Sequence, residues 1–350
     1  MHTKISLLVV NLLWVSYLNA QDTTKASSFK VSGFADIYYR YDFNNPGSKP
    51  YNNLTSFTNS HNSFELGMAS IKGEQTIGKA GLVADIGFGK RADEFSYNDG
   101  GSSVAIKQLY VTYAPSQKVK LSLGTWATHI GYELADANLN RNYSMSYMFS
   151  YGPFFHTGIK AEWAVSEKTT FMLGIANSND LKYASGLPKM LIAQLATGSK
   201  DNKLKAYMNF QGGKSNDSGR IYQGDIVLTY AVSRKFSIGY NGTLQSRQPR
   251  ILEKWETAKS FWGSALYLNA DPRDWLKFTL RSEYFSDKND ITGINAGVFE
   301  TTFSTNFSVG NLVIIPEFRF ENAGREIYSK ANGNLLNNTG SFLLAAVYHF

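Results

Sequence analysis

The sequence predicts an all-β chain, a transmembrane antiparallel up-and-down β-barrel of about sixteen strands. Three observations predict it. Almost every segment after the first thirty residues alternates apolar and polar with a period of two. Short and long connections alternate down the chain, the pattern of tight turns at one end of a barrel and long loops at the other. The chain also closes on FLLAAVYHF (342–350), an aromatic strand with no polar tail. Chain ends usually fray, so a terminal strand of this kind needs a partner.

Residues 1–20 read as a signal peptide. Lys4 supplies a positive start, Ile5 to Leu18 a short apolar run, and Ala20 a small residue at a cleavage point before Gln21. The run falls short of the ~20 apolar residues that a spanning helix needs. The expected organisation is therefore a signal at 1–20 and one barrel domain at 21–350. No later apolar run could make a spanning helix. A barrel needs none, because only alternate residues meet lipid. The chain has no cysteine, which excludes a disulfide framework for an exported protein. The net charge of +7 is scattered rather than clustered, so no nucleic-acid surface is expected.

The strands follow in order. KVSGFADIYYRYDF sets Val31, Ala35, Ile37 and Tyr39 against Asp36, Tyr38, Arg40 and Asp42. AGLVADIGFG sets Leu82, Ala84, Ile86 and Phe88 against Asp85. KFSIGYNGTL and LKFTLRSEYF repeat the pattern, the latter with Leu276, Phe278, Leu280 and Tyr284 against Lys277, Thr279, Arg281 and Glu283. Strands are expected near 29–43, 62–76, 80–90, 103–114, 118–127, 156–165, 169–176 and 188–197. Eight more are expected near 203–210, 224–232, 236–245, 260–270, 275–286, 298–309, 312–321 and 340–350. Short turns fall near 77–79, 115–117, 166–168, 198–202, 233–235, 271–274 and 310–311, and longer polar loops lie between them. An even strand number puts both termini on the short-turn, periplasmic side.

In a closed barrel the last strand pairs with the first, so the chain end is no free edge. Tyr348 and Phe350 then face the interfacial aromatic girdle. A terminal Phe on an amphipathic strand also resembles the signal read by the barrel assembly machinery of the outer membrane.

GYELADANLNRNYSMSYMFSYGPFFHTGIKAEW (131–163) resembles the OmpL-like family of outer-membrane β-barrel porins in Gram-negative bacteria. The cues are GYE, the NRNYSMSYMFSYGP run, and HTGIKAEW leading into a strand. LRSEYFSD (280–287) resembles a late strand of the same family, and the likeness extends over most of the mature chain. The resemblance implies a channel for small solutes and leaves the solute open.

About sixteen strands leave a water-filled lumen rather than a packed core. Strand parity makes Asp36, Arg40, Lys107, Lys160, Glu162, Lys277, Arg281, Glu283, Glu317, Arg319 and Glu321 the pore-lining candidates. Their mixed signs fit a field that orders water and favours small polar solutes. The longest connection, 128–155, carries Tyr143, Tyr147, Phe149 and Tyr151 among other apolar groups that are poorly placed on a wet outer loop. It is expected to fold into the barrel and constrict it; the other reading is an outer-surface contact with a partner protein.

No chemistry is expected. His61, His129, His156 and His349 lack metal-ligand spacing, and no motif fixes His156 against Ser144, Ser146 or Ser150. GFGKR (87–91) lacks the Gly and Ser/Thr of a phosphate loop. The short stretch before the first strand has no room for a plug domain. The expected function is passive diffusion of small hydrophilic solutes, with outer-membrane lipid as surroundings and no cofactor. A channel selective for a sugar or organic anion, a barrel-borne hydrolase and a blocked structural barrel are the alternatives. Many large porins are trimers, but nothing in the residues argues for or against a homo-oligomer.

Overall fold

The computed structural model describes residues 28–100, 104–215 and 219–350. The signal segment expected at 1–20 lies outside the described residues. Sixteen antiparallel strands close into one barrel, each bonded to the next and the last to the first. The first eight are β1 Ser28–Asp42, β2 Ser63–Ile77, β3 Ala80–Phe88, β4 Val104–Ser116, β5 Val119–Ala127, β6 Phe155–Ser166, β7 Thr169–Asn177 and β8 Lys189–Gly198. The others are β9 Leu204–Lys214, β10 Arg220–Ala231, β11 Phe236–Gln248, β12 Lys259–Arg273, β13 Leu276–Ser286, β14 Gly297–Val309, β15 Leu312–Ala323 and β16 Asn338–His349. Among the described residues no helix is long and apolar enough to cross a membrane, which says nothing against strands doing so.

The seam explains the aromatic chain end. Tyr348 pairs with Ala35, and beyond the strand Phe350 exchanges both backbone hydrogen bonds with Gly33 at 3.0 Å. Tyr348 and Phe350 point outward and are half exposed.

Alternation sets which face is which. On β13 and β15 the inward set is Arg281, Glu283, Glu317, Arg319 and Glu321, all buried, while Phe318 and Phe320 are exposed outside. A one-residue slip would turn every charge outward. Arg at mid-bilayer on the lipid face costs about 2–4 kcal/mol, and Glu less.

Expected and observed strands coincide to within a few residues, with two kinds of difference. β9, β10 and β11 run three or four residues further toward the long-loop end than expected. Gly212, Gly213 and Arg220 carry no outward apolar signal, because past the hydrocarbon belt ladder bonds suffice. Tyr222 lies over Gly212, its ring 2.5 Å from where a Cβ would stand, so glycine is what allows that cross-strand cover. The second difference is at β12, which extends through Arg273 into what reads as the turn DPRD. A break in the pairing register between Ala270 and Arg273 absorbs the proline-containing step.

Candidate solute pathway

Loop 128–155 lies inside the barrel. Its chain starts and ends side by side, Thr128 N donating to Phe154 O at 3.0 Å. Between them it descends nearly to the short-turn end. There Arg141 grips Asp271, beside the β12–β13 turn, with two bonds of 2.6 and 2.8 Å, and Asn306 donates to Arg141 O at 2.9 Å.

The returning half runs along β13, β14 and β15, where it meets the inward charges. Glu317 accepts the N–H groups of Tyr143 and Ser144 at 2.8 and 3.1 Å. Glu283 accepts those of Tyr147 and Met148 at 2.7 and 2.8 Å. Arg281 donates to Ser144 O at 2.8 Å and Arg319 to Met145 O at 2.7 Å. Wall carboxylates thus take the loop's free donors and wall guanidiniums its free carbonyls. Charge-assisted bonds of this kind contribute about 1.5–3 kcal/mol each. Ser146 caps the single helical turn Tyr147–Ser150 through a bond from Phe149 N to its hydroxyl at 3.1 Å.

The charges are also paired among themselves. Arg281 contacts Glu133 of the loop at 2.6 Å and Glu300 of β14 at 2.5 Å. Arg319 pairs with Glu321 at 2.6 Å. Asp36 accepts the Tyr143 hydroxyl and, at 2.9 Å, the N–H of Met68. Its carboxylate fills the space where a side chain at residue 67 would stand, and Gly67 leaves that space free.

Other sequence-predicted residues hold other segments. Arg40 binds Asp42 at 3.2 Å and the carbonyls of Tyr51 and Ser60 at 3.0 and 2.7 Å, which draws loop 43–62 inward. Lys107 joins Asp85 at 3.2 Å and the loop's Asp136 at 2.6 Å. Lys160 and Glu162 stand apart on β6, half-buried and 3.7 Å from each other, and Lys277 lies beside a cavity with Asn306 and His349. Within the loop, Tyr143 and Phe149 pack with Phe34, Phe57, Phe154 and Phe155. Tyr147 packs with Phe261, Phe285 and Tyr328. Tyr151 is half-buried, its hydroxyl donating to Leu54 O at 2.9 Å.

The neighbouring stretch of wall, β9 to β11, has another chemistry. On β9, β10 and β11 the inward groups are mostly amides and hydroxyls bonded across strands. Gln211 and Gln245 both donate to Gln223 Oε1, at 2.7 and 3.0 Å, and Gln223 donates to Thr243 at 3.0 Å. One level down, Asn209 and Asn241 donate to Asp225 at 2.8 and 2.7 Å. The loop's first residues touch this wall at Gly131 N to Asp225, 3.0 Å, and Tyr132 N to Asn241, 3.3 Å. The Tyr132 ring lies over Gly239, 2.7 Å from where a Cβ would stand.

Two cavities flank that contact. The one toward the long loops is about 340 Å³ and is lined by Tyr97, Tyr151, Asp180, Ile221, Arg220 and Arg247 among others. The one toward the short turns is about 540 Å³ and includes Tyr132, Lys205, Tyr207, Thr229, Tyr267 and Asn269. Between Ile221 and Thr229 on β10, the inward Gln223, Asp225 and Val227 are buried.

Sequence reasoning missed several partners. Glu300 was legible, since it alternates with Phe299 and Thr301 on β14. Glu133, Arg91 and Asp180 carry no such signal, being loop residues. Arg91 is buried between the Phe57 and Tyr143 rings and donates to Ala135 O at 3.1 Å. Asp180, in the loop after β7, accepts the N–H groups of Phe154 and Phe155 at 2.6 and 3.0 Å and the Tyr97 hydroxyl at 3.0 Å. Burial pushes its carboxyl up to about 7. His156 is buried with Nε2 3.1 Å from Thr128 Oγ1, and the hydroxyls of Ser146 and Ser150 bond loop backbone. Ser146 and Ser150 are thus engaged with the loop rather than with His156.

A family model described as "Putative beta-barrel porin-2, OmpL-like" matches residues 28–350. No curated protein matches. Among solved structures, the outer membrane channel DcaP of Acinetobacter baumannii is 12% identical with a TM-score of 0.64, covering 94% of this chain and 99% of its own. An anion-selective porin from Comamonas acidovorans is 11% identical, TM-score 0.61, covering 93% and 100%. OmpT of Vibrio cholerae is 10% identical, TM-score 0.57, covering 94% and 99%. At these identities the likeness is one of fold.

Proposed function

This chain belongs to the OmpL-like beta-barrel porin-2 family, and from that premise we propose how it works as an outer-membrane porin for small hydrophilic solutes. Loop 128–155 sets the size limit. The observation that carries this is the set of bonds from Glu283, Glu317, Arg281 and Arg319 to the loop backbone. In this reading the charged band is an anchor that holds the loop to one side of the lumen. Asp36, Arg40 and Lys107 belong to the same anchoring system, while Lys160, Glu162 and Lys277 line open water near the periplasmic end. Planar-bilayer recording tests the reading: discrete conductance steps support it, and a silent bilayer with correctly folded protein favours a blocked barrel.

Residues 1–20 act as the export signal in this account, and Tyr348 and Phe350 as the mark read during barrel assembly. OmpT of Vibrio cholerae is described in a trimer form. Association of copies of the present chain is the corresponding proposal, and cross-linking in native membranes tests it.

A further inference from the structure

The lumen cavities carry more cations than carboxylates. The outer one, toward the long loops, is lined by Arg220, Arg247 and Asp180, and the inner one by Arg141, Lys205 and Glu133. A further cavity of about 330 Å³ shares Leu139, Asn140 and Arg141 with the inner one and adds Lys277 near the β14–β15 turn. Arg141 is matched by Asp271, and Glu133 by Arg281. No carboxylate among the described residues lies within ion-pair distance of Arg220, Lys205 or Lys277. Asp180 has its oxygens taken by the N–H groups of Phe154 and Phe155 and by the Tyr97 hydroxyl. Burial lifts its carboxyl to about 7, so at neutral pH it carries only part of a charge. The outer cavity also holds polar groups that the chain leaves unmatched. Ser178 is 5% exposed and its hydroxyl has no partner among the described residues, nor has the buried amide oxygen of Asn179. Buried polar groups are normally bonded, so these two are fitted to something that enters the cavity.

Resting on the porin reading, we propose that the outer cavity captures small hydroxylated organic carboxylates, and that Arg220 there and Lys205 and Lys277 below make the path favour such anions over neutral solutes of the same size. The Arg220 guanidinium stacks on the Trp255 ring, 4.0 Å from its centroid, which occupies its face and leaves its N–H edge to donate. A guanidinium edge matches the two oxygens of a carboxylate. The Ser178 hydroxyl is a further donor for the acid group, and the Asn179 amide oxygen an acceptor for a solute hydroxyl. Tyr97 and Tyr151 give the cavity apolar faces against which the body of the solute packs. Farther down, the unmatched ammonium groups of Lys205 and Lys277 raise the local concentration of an anion at the short-turn end. The carboxylates nearby are already engaged. Asp225 is buried and bonded to Gly131, Asn209 and Asn241. Glu283 and Glu317 are buried with the loop's N–H groups on their oxygens. A neutral solute finds the same hydroxyl partners and gains nothing from the cations.

The test is efflux of labelled glucuronate and labelled glucose, which share a ring and differ by the carboxylate, from proteoliposomes containing the full barrel in matched salt. The expected result is glucuronate efflux several-fold faster than glucose efflux. Glucose as fast or faster overturns the proposal while leaving the porin reading intact; efflux of neither overturns both. A second arm assigns the residues. The glucuronate-to-glucose ratio, measured within one preparation and so independent of how much barrel has folded, should fall several-fold in Arg220→Gln and again when Lys205→Gln is added. Ser178→Ala should raise the glucuronate concentration that half-saturates efflux. A ratio that stays at the native value in the Arg220→Gln, Lys205→Gln double variant would place the preference elsewhere and overturn the proposal.

Discussion

Arg281 of the barrel wall donates to Glu133 of the lumen loop at 2.6 Å, both side chains buried. Neither charge would tolerate burial alone, so each fixes the other. Glu133 also accepts the N–H of Ser146, so the pair ties the descending half of the loop to its returning half and both to the wall.

Glu283→Ala should release the helical turn of the loop. The substitution leaves the N–H groups of Tyr147 and Met148 without their acceptor, a loss of about 1.5–3 kcal/mol for each bond. The barrel ladder is untouched, so the heat-modifiable folded form should persist in gels. Single-channel records should show larger and noisier openings; quiet, unchanged openings would mean that the anchor at Glu283 is dispensable.

Deleting Phe350 should impair assembly rather than permeation. The deletion removes both backbone bonds to Gly33 and the last outward aromatic. Outer-membrane fractions should hold much less folded barrel, while the molecules that do fold conduct normally. Normal membrane levels would contradict the role given to the chain end.

The Asp180 contact should weaken as pH rises. Its folded pKa of about 7 lies above the ordinary carboxyl value, so its contribution is fully present below about 4 and is lost as pH rises through 7. Records at pH 5 should be quieter than at pH 9, and Asp180→Asn should remove most of that difference. A pH dependence that survives in Asp180→Asn assigns it to another group.

Cysteine labelling should report the register and the cover together. Arg281→Cys and Arg319→Cys should react slowly with a charged thiol reagent in the full chain and quickly once 133–150 is shortened. Leu280→Cys and Phe318→Cys should stay slow in both, since they face lipid. Fast reaction at the latter pair would shift the register of β13 and β15 by one.

The barrel was legible because lipid imposes a simple rule on every strand: apolar outside, at every second residue. The same rule makes Arg281, Glu283, Arg319 and Glu321 point inward, and it fades where β9 and β10 rise beyond the hydrocarbon, around Gly212 and Tyr222. Loop 128–155 announced itself through aromatic content that water would not accommodate. What the loop would grip was not legible. Glu133 and Arg281 are 148 residues apart, and Arg141 and Asp271 are 130 apart. Periodicity says which way a wall residue faces and nothing about which loop atom comes to meet it. The amide wall was hidden for a related reason: Gln and Asn in alternating strands look like any wet lumen face until the loop is seen to lie against them.

The most direct test is single-channel conductance of the full chain beside a form in which residues 133–150 are replaced by a short Gly/Ser linker, with both strands β5 and β6 intact. Small, discrete steps in the full chain and clearly larger ones in the shortened form are the predicted result. Equal conductance in the two would contradict the account, because a loop that lies in the lumen cannot be removed without widening the path.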